Sequence, residues 1–159
     1  MNQVIVKQEK SGYQIVEAYK SLRTNLQFCG EDKKVIAVTS CTPNEGKSSV
    51  SMQLGISLAE SGKRVILIDA DLRKSVLLGR TKTQKSVRGL AHFLSGQATL
   101  EDVICSTNVK NFYMIYSGPF PPNPAELLGG KNFRSLLNAL RKVYDYIIVD
   151  TPPLGSVID

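Results

Sequence analysis

Short apolar runs alternate with stretches of helical period along this chain. Val35-Ile36-Ala37-Val38 and Val65-Ile66-Leu67-Ile68 read as buried strands, the second running into Asp69. Tyr113-Met114-Ile115-Tyr116 predicts a further short strand, and Tyr146-Ile147-Ile148-Val149 another that ends in Asp150. Val50, Leu54 and Leu58 recur at helical spacing, predicting a helix from about Lys47 to Ser61 with Gly62 closing its end. Thr99 and Asp102 form a capping arrangement, with Asp standing where Glu or Gln is usual. Asn123-Pro124-Ala125-Glu126 suits a helix start: Asn at the cap, Pro at the first helical position, Glu closing the first turn. Phe133, Leu136, Leu137 and Leu140 then mark an amphipathic helix. Strands alternating with helices predict an α/β fold, with a mostly parallel sheet flanked by helices. No repeat or low-complexity linker divides the 159 residues, which read as one domain.

The chemistry gathers at the ends of these predicted strands. The strand at Val35 leads into Thr39-Ser40-Cys41-Thr42-Pro43-Asn44-Glu45-Gly46-Lys47-Ser48-Ser49. Gly46-Lys47-Ser48 at a strand-to-helix junction is the essential part of a P-loop, where backbone N–H groups and the helix dipole surround phosphate oxygens. Lys47 is expected at the β- and γ-phosphates and Ser48 on magnesium, with Asn44, Glu45, Gly46 and Ser49 completing the nucleotide-binding stretch. The general pattern also has a glycine where this chain has Cys41. Three aspartates follow strands: Asp69 and Asp71 in Ile68-Asp69-Ala70-Asp71-Leu72-Arg73, and Asp150 in Val149-Asp150-Thr151-Pro152-Pro153. An open α/β sheet places its ligands at such carboxyl ends. Hard carboxylate oxygens suit magnesium, and a carboxylate also accepts a proton from a substrate hydroxyl.

Composition narrows the setting. The apolar fraction of 42% and charged fraction of 21% are those of an ordinary globular protein. No apolar run approaches the ~20 residues of a membrane helix, and the start Met1-Asn2-Gln3-Val4 carries no signal-peptide pattern, so a cytoplasmic setting is expected. Cys29, Cys41 and Cys105 are widely spaced and odd in number, which fits reduced thiols better than a metal site or disulfide framework. The net charge of +6 is concentrated in Arg73, Lys74, Arg80, Lys82, Lys85 and Arg88, with no acidic residue between Asp71 and Glu101. Such a run attracts anions or forms a solvated face.

From about Glu17 onward the chain resembles the bacterial tyrosine kinases of capsular and exopolysaccharide synthesis, of the cytoplasmic capsule-regulator type. Ser40 to Ser48 resembles their Walker A motif, with Asn44 in place of a glycine. Ile66 to Arg73 matches the additional Walker A′ motif, and Ile147 to Pro153 the Walker B motif with its Asp-Thr-Pro-Pro. Ser117 through Leu128 resembles another characteristic segment. The resemblance implies a P-loop NTPase-like fold and an ATP- and Mg2+-dependent protein-tyrosine kinase. It implies Lys47 and Ser48 on phosphate and metal, Asp71 and Asp150 on magnesium, Asp69 activating the tyrosine hydroxyl, and Arg73 orienting the site or sensing phosphate. Glu17, Lys20 and Arg23 resemble the family's Glu-x-x-Arg-x-x-Arg motif, with Lys20 for the first arginine. These three span roughly 120° of a helix surface, opposite an apolar stripe of Ile15, Ala18, Leu22 and Leu26. In the family that charged face supports ring-like homo-oligomers.

Residues 1–30 are accordingly expected to form a helical oligomerisation segment and residues 35–159 the P-loop core. Family members continue well past the point matching Asp159, so the sheet is expected to be incomplete at its C-terminal side. The resemblance also implies a membrane-embedded activator of the polysaccharide chain-length regulator type and peripheral attachment to the membrane through it. Acceptor tyrosines are expected on another subunit's tail or on other proteins, and no nucleic-acid partner is expected. The six tyrosines here are scattered, and Tyr144 and Tyr146 bracket a strand start, which suits packing. Two other readings are a partitioning or septum-positioning ATPase, whose additional lysine near the start of the loop is absent from Ser40-Cys41-Thr42-Pro43, and a non-catalytic assembly module.

Overall fold

The computed structural model describes residues 1–155 apart from Glu9, Asn44, Lys74, Gln84 and Lys85, and gives only the backbone of Thr83. Among the described residues seven strands form one sheet: β1 (Asn2–Val6), β2 (Val35–Val38), β3 (Val65–Asp69), β4 (Thr81–Thr83), β5 (Cys105–Thr107), β6 (Phe112–Ile115) and β7 (Tyr146–Asp150). The helices are α1 (Tyr13–Phe28), α2 (Lys47–Glu60), α3 (Leu90–Leu94), α4 (Leu100–Val103), α5 (Pro124–Gly129) and α6 (Lys131–Arg141), with a 3-10 turn at Leu78–Arg80. The sheet order is β2-β7-β3-β6-β5-β1-β4. The β2-β7-β3-β6 block is parallel throughout. Beyond it β5 runs antiparallel to β6, β1 parallel to β5, and β4 antiparallel to β1.

The continuous apolar runs became the interior strands, because a parallel strand covered on both faces has no solvent side. All five residues of β3 and of β7 are buried. Their alternation divides the core into two layers. Val65, Leu67, Phe112, Met114 and Ile148 pack with Leu54 and Leu58 of α2. Ile66, Ile68, Ile115 and Ile147 pack with Leu136 and Leu140 of α6 and with Leu90 and Leu94 of α3. Val50, grouped with Leu54 and Leu58 by its spacing, is instead 37% exposed, at the solvent-facing start of α2. Gly55 lets α2 sit close to the sheet: a Cβ there would lie 2.6 Å from the Phe112 ring.

Helix ends follow their sequence signals in part. Thr99 and Asp102 form the reciprocal box, each side chain bonded to the other's backbone N–H, at 3.3 and 2.9 Å. Gly62 takes φ +88° just beyond α2, where a left-handed residue closes a helix. Asn123 occupies the cap of α5, but its amide donates to the Glu126 carboxylate at 3.1 Å and makes no bond to the helix backbone.

The N-terminal thirty residues differ from a purely helical segment. Asn2–Val6 is a strand, with Val4 and Val6 buried and Ile5 exposed. Its partner strands lie far along the chain, Val4 pairing with Thr107 and with Thr83. In α1, which contains no fully buried residue, Ile15, Ala18 and Leu22 are exposed and Leu26 is half-buried. Tyr19 and Leu26 make the contact with the core, so the inner face is rotated from the expected stripe. The cause is the crossing with α2, where Arg23 reaches a backbone carbonyl. No helix of the described residues is long and apolar enough to cross a membrane.

Candidate functional site

Strand register brings the expected carboxylates together. β7 lies between β2 and β3, with Val38 and Asp69 both opposite Asp150. The loop that follows β2 therefore rises beside Asp150, at the carboxyl edge of the sheet, and Asp69 stands on its other side. Gly46 caps α2 with φ +80° and ψ 14°, a left-handed conformation that glycine adopts without steric cost. That turn delivers Lys47 and Ser48 directly onto the neighbouring strand end.

Asp150 is the hub. Lys47 Nζ lies 2.6 Å from its Oδ1, and the Ser48 hydroxyl donates to Oδ2 at 2.9 Å. The Ser51 hydroxyl, one turn further along α2, lies 3.2 Å from Oδ1. The side chains of Lys47 and Asp150 are only 8% and 1% exposed, so the pair is screened little by water. Ser51 was not singled out by the motif. Its helical spacing from Lys47 and Ser48 is the signal that finds it.

Asp69 is 1% exposed and accepts hydrogen bonds from the Ser75 hydroxyl and, at 3.3 Å, the Asp71 backbone N–H. Burial pushes its carboxyl up to about 7, opposed by the Ser75 bond and assisted by the nearby charges of Asp150 and Asp71. Asp71 is buried just past β3, and Arg73 is exposed two residues later. Ser75, like Ser51, lay outside the motif.

The phosphate loop is braced from within and from behind. Glu45 folds back, accepting from the Thr42 hydroxyl at 2.6 Å and from the Cys41 backbone N–H at 3.2 Å. The Thr42 bond holds its carboxyl below the usual range. Expected as a nucleotide contact, Glu45 here closes the loop on itself, because its chain is long enough to reach those donors. Asn44 lies outside the described residues. Behind the loop, the Leu154 and Gly155 N–H groups donate to the Ser40 and Cys41 carbonyls at 2.8 and 2.7 Å. A Cβ on Gly155 would lie 2.4 Å from the Cys41 carbonyl oxygen, so this approach requires glycine. Ser49 accepts a hydrogen bond from Arg80, a residue of the basic run.

Glu17 and Lys20 form an exposed ion pair at 3.0 Å. Arg23, expected on the same outward face, turns inward, its Nη1 donating to the Ser57 carbonyl at 2.9 Å. Its long side chain follows the α1–α2 crossing and satisfies a backbone acceptor there.

The donor set around Asp150 consists of hydroxyl and carboxylate oxygens, the hard ligands that magnesium selects. Among the described residues no group of three or more His, Cys, Asp or Glu side chains forms a metal site by itself. A metal placed here would draw on oxygens such as that of Ser48 and on a ligand's own oxygens, the usual condition of magnesium bound with phosphate.

Residues 33–159 match a family described as AAA domain. Tyrosine-protein kinase CpsD of Streptococcus pneumoniae serotype 4 is 48% identical over 143 residues, covering 90% of this chain and 63% of the relative. The chain spans 62–63% of the length of such curated relatives. The kinase domain of Escherichia coli tyrosine kinase ETK superposes with a TM-score of 0.84 at 32% identity, over 98% of this chain and 70% of that one. The septum site-determining protein MinD of Pyrococcus horikoshii, solved with Mg-ADP, aligns over 76% of this chain and 49% of its own, with a TM-score of 0.62 and 28% identity. The P-loop fold shared by these proteins implies nucleotide binding.

Proposed function

The chain belongs to the AAA domain family and, within it, to the bacterial tyrosine-kinase domains, and on that premise we propose that it transfers the γ-phosphoryl group of ATP to tyrosine hydroxyls in the control of capsule or exopolysaccharide synthesis. One observation carries the reading: Lys47 and Ser48 both reach the Asp150 carboxylate, at 2.6 and 2.9 Å, beside a buried Asp69. Lys47 leaves Asp150 to neutralise the β- and γ-phosphates. Ser48, Asp71 and Asp150 would hold magnesium, which when bound would supply charge neutralisation on the phosphate oxygens. Asp69 receives the tyrosine proton; with its carboxyl near 7 it is matched to proton transfer at neutral pH. Arg73 orients the acceptor or the transferring group. Phosphoryl transfer demands positioning and electrostatics more than covalent help, and a site built from one lysine and three aspartates answers that demand.

Acceptor tyrosines come from another subunit or another protein. Tyr116 is 3% exposed with its hydroxyl bonded to Thr81, and burial pushes that hydroxyl up to about 12. Tyr144 and Tyr146 are also buried. Self-association uses the α1 surface around the exposed Glu17–Lys20 pair, with Arg23 fixing α1 against α2. A membrane-embedded activator holds the cytoplasmic domain at the inner face of the membrane.

Incubation with ATP, magnesium and a tyrosine-rich tail peptide is expected to yield phosphotyrosine, absent from the Lys47→Met variant. ATP hydrolysis without phosphotyrosine formation would place the chain with the MinD-like ATPases instead.

A further inference from the structure

We propose that Arg80 is a positioning residue for the nucleotide site, acting through the Ser49 hydroxyl to direct its proton toward a bound phosphate oxygen. The inference rests on the nucleotide-binding reading above and deepens it. Arg80 belongs to the basic run that no motif absorbed, and its guanidinium donates from Nη1 to Ser49 Oγ. A guanidinium only donates. Ser49 Oγ must therefore accept, and its own proton remains for another partner. Among the described residues Ser49 Oγ donates to no protein acceptor. A neutral serine is thereby converted into an oriented donor, one residue beyond the Ser48 that contacts Asp150.

The mount is rigid and comes from the other end of the sheet. Arg80 ends the Leu78–Arg80 turn, with its N–H on the Leu77 carbonyl at 3.0 Å and Leu77 fully buried. Its own carbonyl accepts from the Lys7 N–H at 3.5 Å, extending the β1–β4 ladder in which Val6 pairs with Thr81. Thr81 is fixed in turn by the Leu78 carbonyl and by the Tyr116 hydroxyl. The pair is also open to a ligand. Ser49 and Arg80 line a groove of about 480 Å³ with Lys7, Ser11, Tyr19 and Gln53, and among the described residues none that lines it is acidic. An anion entering at Ser49 therefore meets the cations of Arg80 and Lys7, which favours phosphate there. The outer strands β1 and β4 thus serve the site from a distance.

The test measures ATP affinity calorimetrically in the full chain for Arg80→Ala, Arg80→Gln, Ser49→Ala and the double variant Arg80→Ala/Ser49→Ala. Loss of a hydrogen bond involving a charged group predicts about tenfold weaker ATP binding for Arg80→Ala. Ser49→Ala should lose a similar factor, and the double variant no more than either single one, since both remove the same oriented donor. Arg80→Gln retains a donor and should keep most of the affinity. In turnover the Arg80→Ala loss should fall on KM for ATP and leave kcat unchanged. Unchanged affinity in Arg80→Ala, or losses that multiply in the double variant, would overturn the proposal while leaving the nucleotide site intact. A wild-type chain that binds no ATP would overturn the parent reading and this one together.

Discussion

Lys47→Met leaves the Asp150 carboxylate buried against two serine hydroxyls, without the lysine that balances it. The motif assigns Lys47 to phosphate, which predicts loss of nucleotide affinity with the fold unaffected. The observed pairing adds a structural role, and stability should also fall, by about 3 kcal/mol, as when one partner of a buried pair is removed. Denaturant melts check this, and Lys47→Met/Asp150→Asn should recover much of the loss by removing the stranded charge. A single variant as stable as the wild type would show that Asp150 is satisfied by Ser48 and Ser51 alone. The thiols give a second prediction. Cys29 and Cys41 are exposed and should be alkylated within the native state. Cys105 is buried, and burial pushes its thiol up to about 11, so it should react only on unfolding. Mass spectrometry after a short iodoacetamide pulse distinguishes the three. Ser75 and Arg80 were harder to read from sequence, because neither belongs to a motif and the fold alone brings Ser75 onto Asp69 and Arg80 onto Ser49.

At the scale of the elements, a glycine inside α2 tests how closely that helix must approach the sheet. Gly55→Ala should gain about 1 kcal/mol of helix propensity. Against that, the new Cβ would meet Phe112 at 2.6 Å and 3.1 Å and Ile148 at 3.4 Å, and both side chains are fully buried. Overpacking of this kind costs typically 1–3 kcal/mol, so a net loss of about 1 kcal/mol is expected. Thermal or denaturant unfolding measures it, and Phe112→Leu in the same chain should relieve it. A stabilised Gly55→Ala would mean that Phe112 has room to move. The four parallel strands and the helix α6 were legible because continuous apolar runs and a 3.6-residue period are local signals. The strands β1, β4 and β5 were not. None of them is a continuous apolar run, and pairings such as Val4 with Thr107 cannot be read from local composition. The inner face of α1 departs from its apolar stripe for a related reason: a half-buried helix is oriented by what it crosses, here Ser57 of α2.

For the molecule as a whole, three aspartates at one sheet edge tie folding to proton uptake. Asp69 has its carboxyl raised to about 7 by burial, against about 3.9 in an unfolded chain. The folded state therefore holds a proton that the unfolded state has lost between these values. The stabilisation is complete below about pH 4 and declines as pH rises through about 7. Asp69→Asn cannot titrate, so its stability relative to the wild type should increase from pH 5 to pH 8 in EDTA without nucleotide. A difference independent of pH would mean that Asp69 is already ionised in the folded chain. Sequence located this carboxylate cluster and its phosphate loop, since both lie in contiguous motifs, but not the state the cluster adopts. That state has Lys47 already engaged with Asp150. Taking the lysine away for a phosphate leaves Asp150 facing an anion unless a cation arrives too. Magnesium and nucleotide are therefore expected to be thermodynamically linked, each raising the other's affinity by the same factor. Titrating ATP with and without magnesium, and magnesium with and without a non-hydrolysable ATP analogue, closes that cycle. In Asp150→Asn the two ligands should bind more nearly independently, because the charge that couples them has been removed.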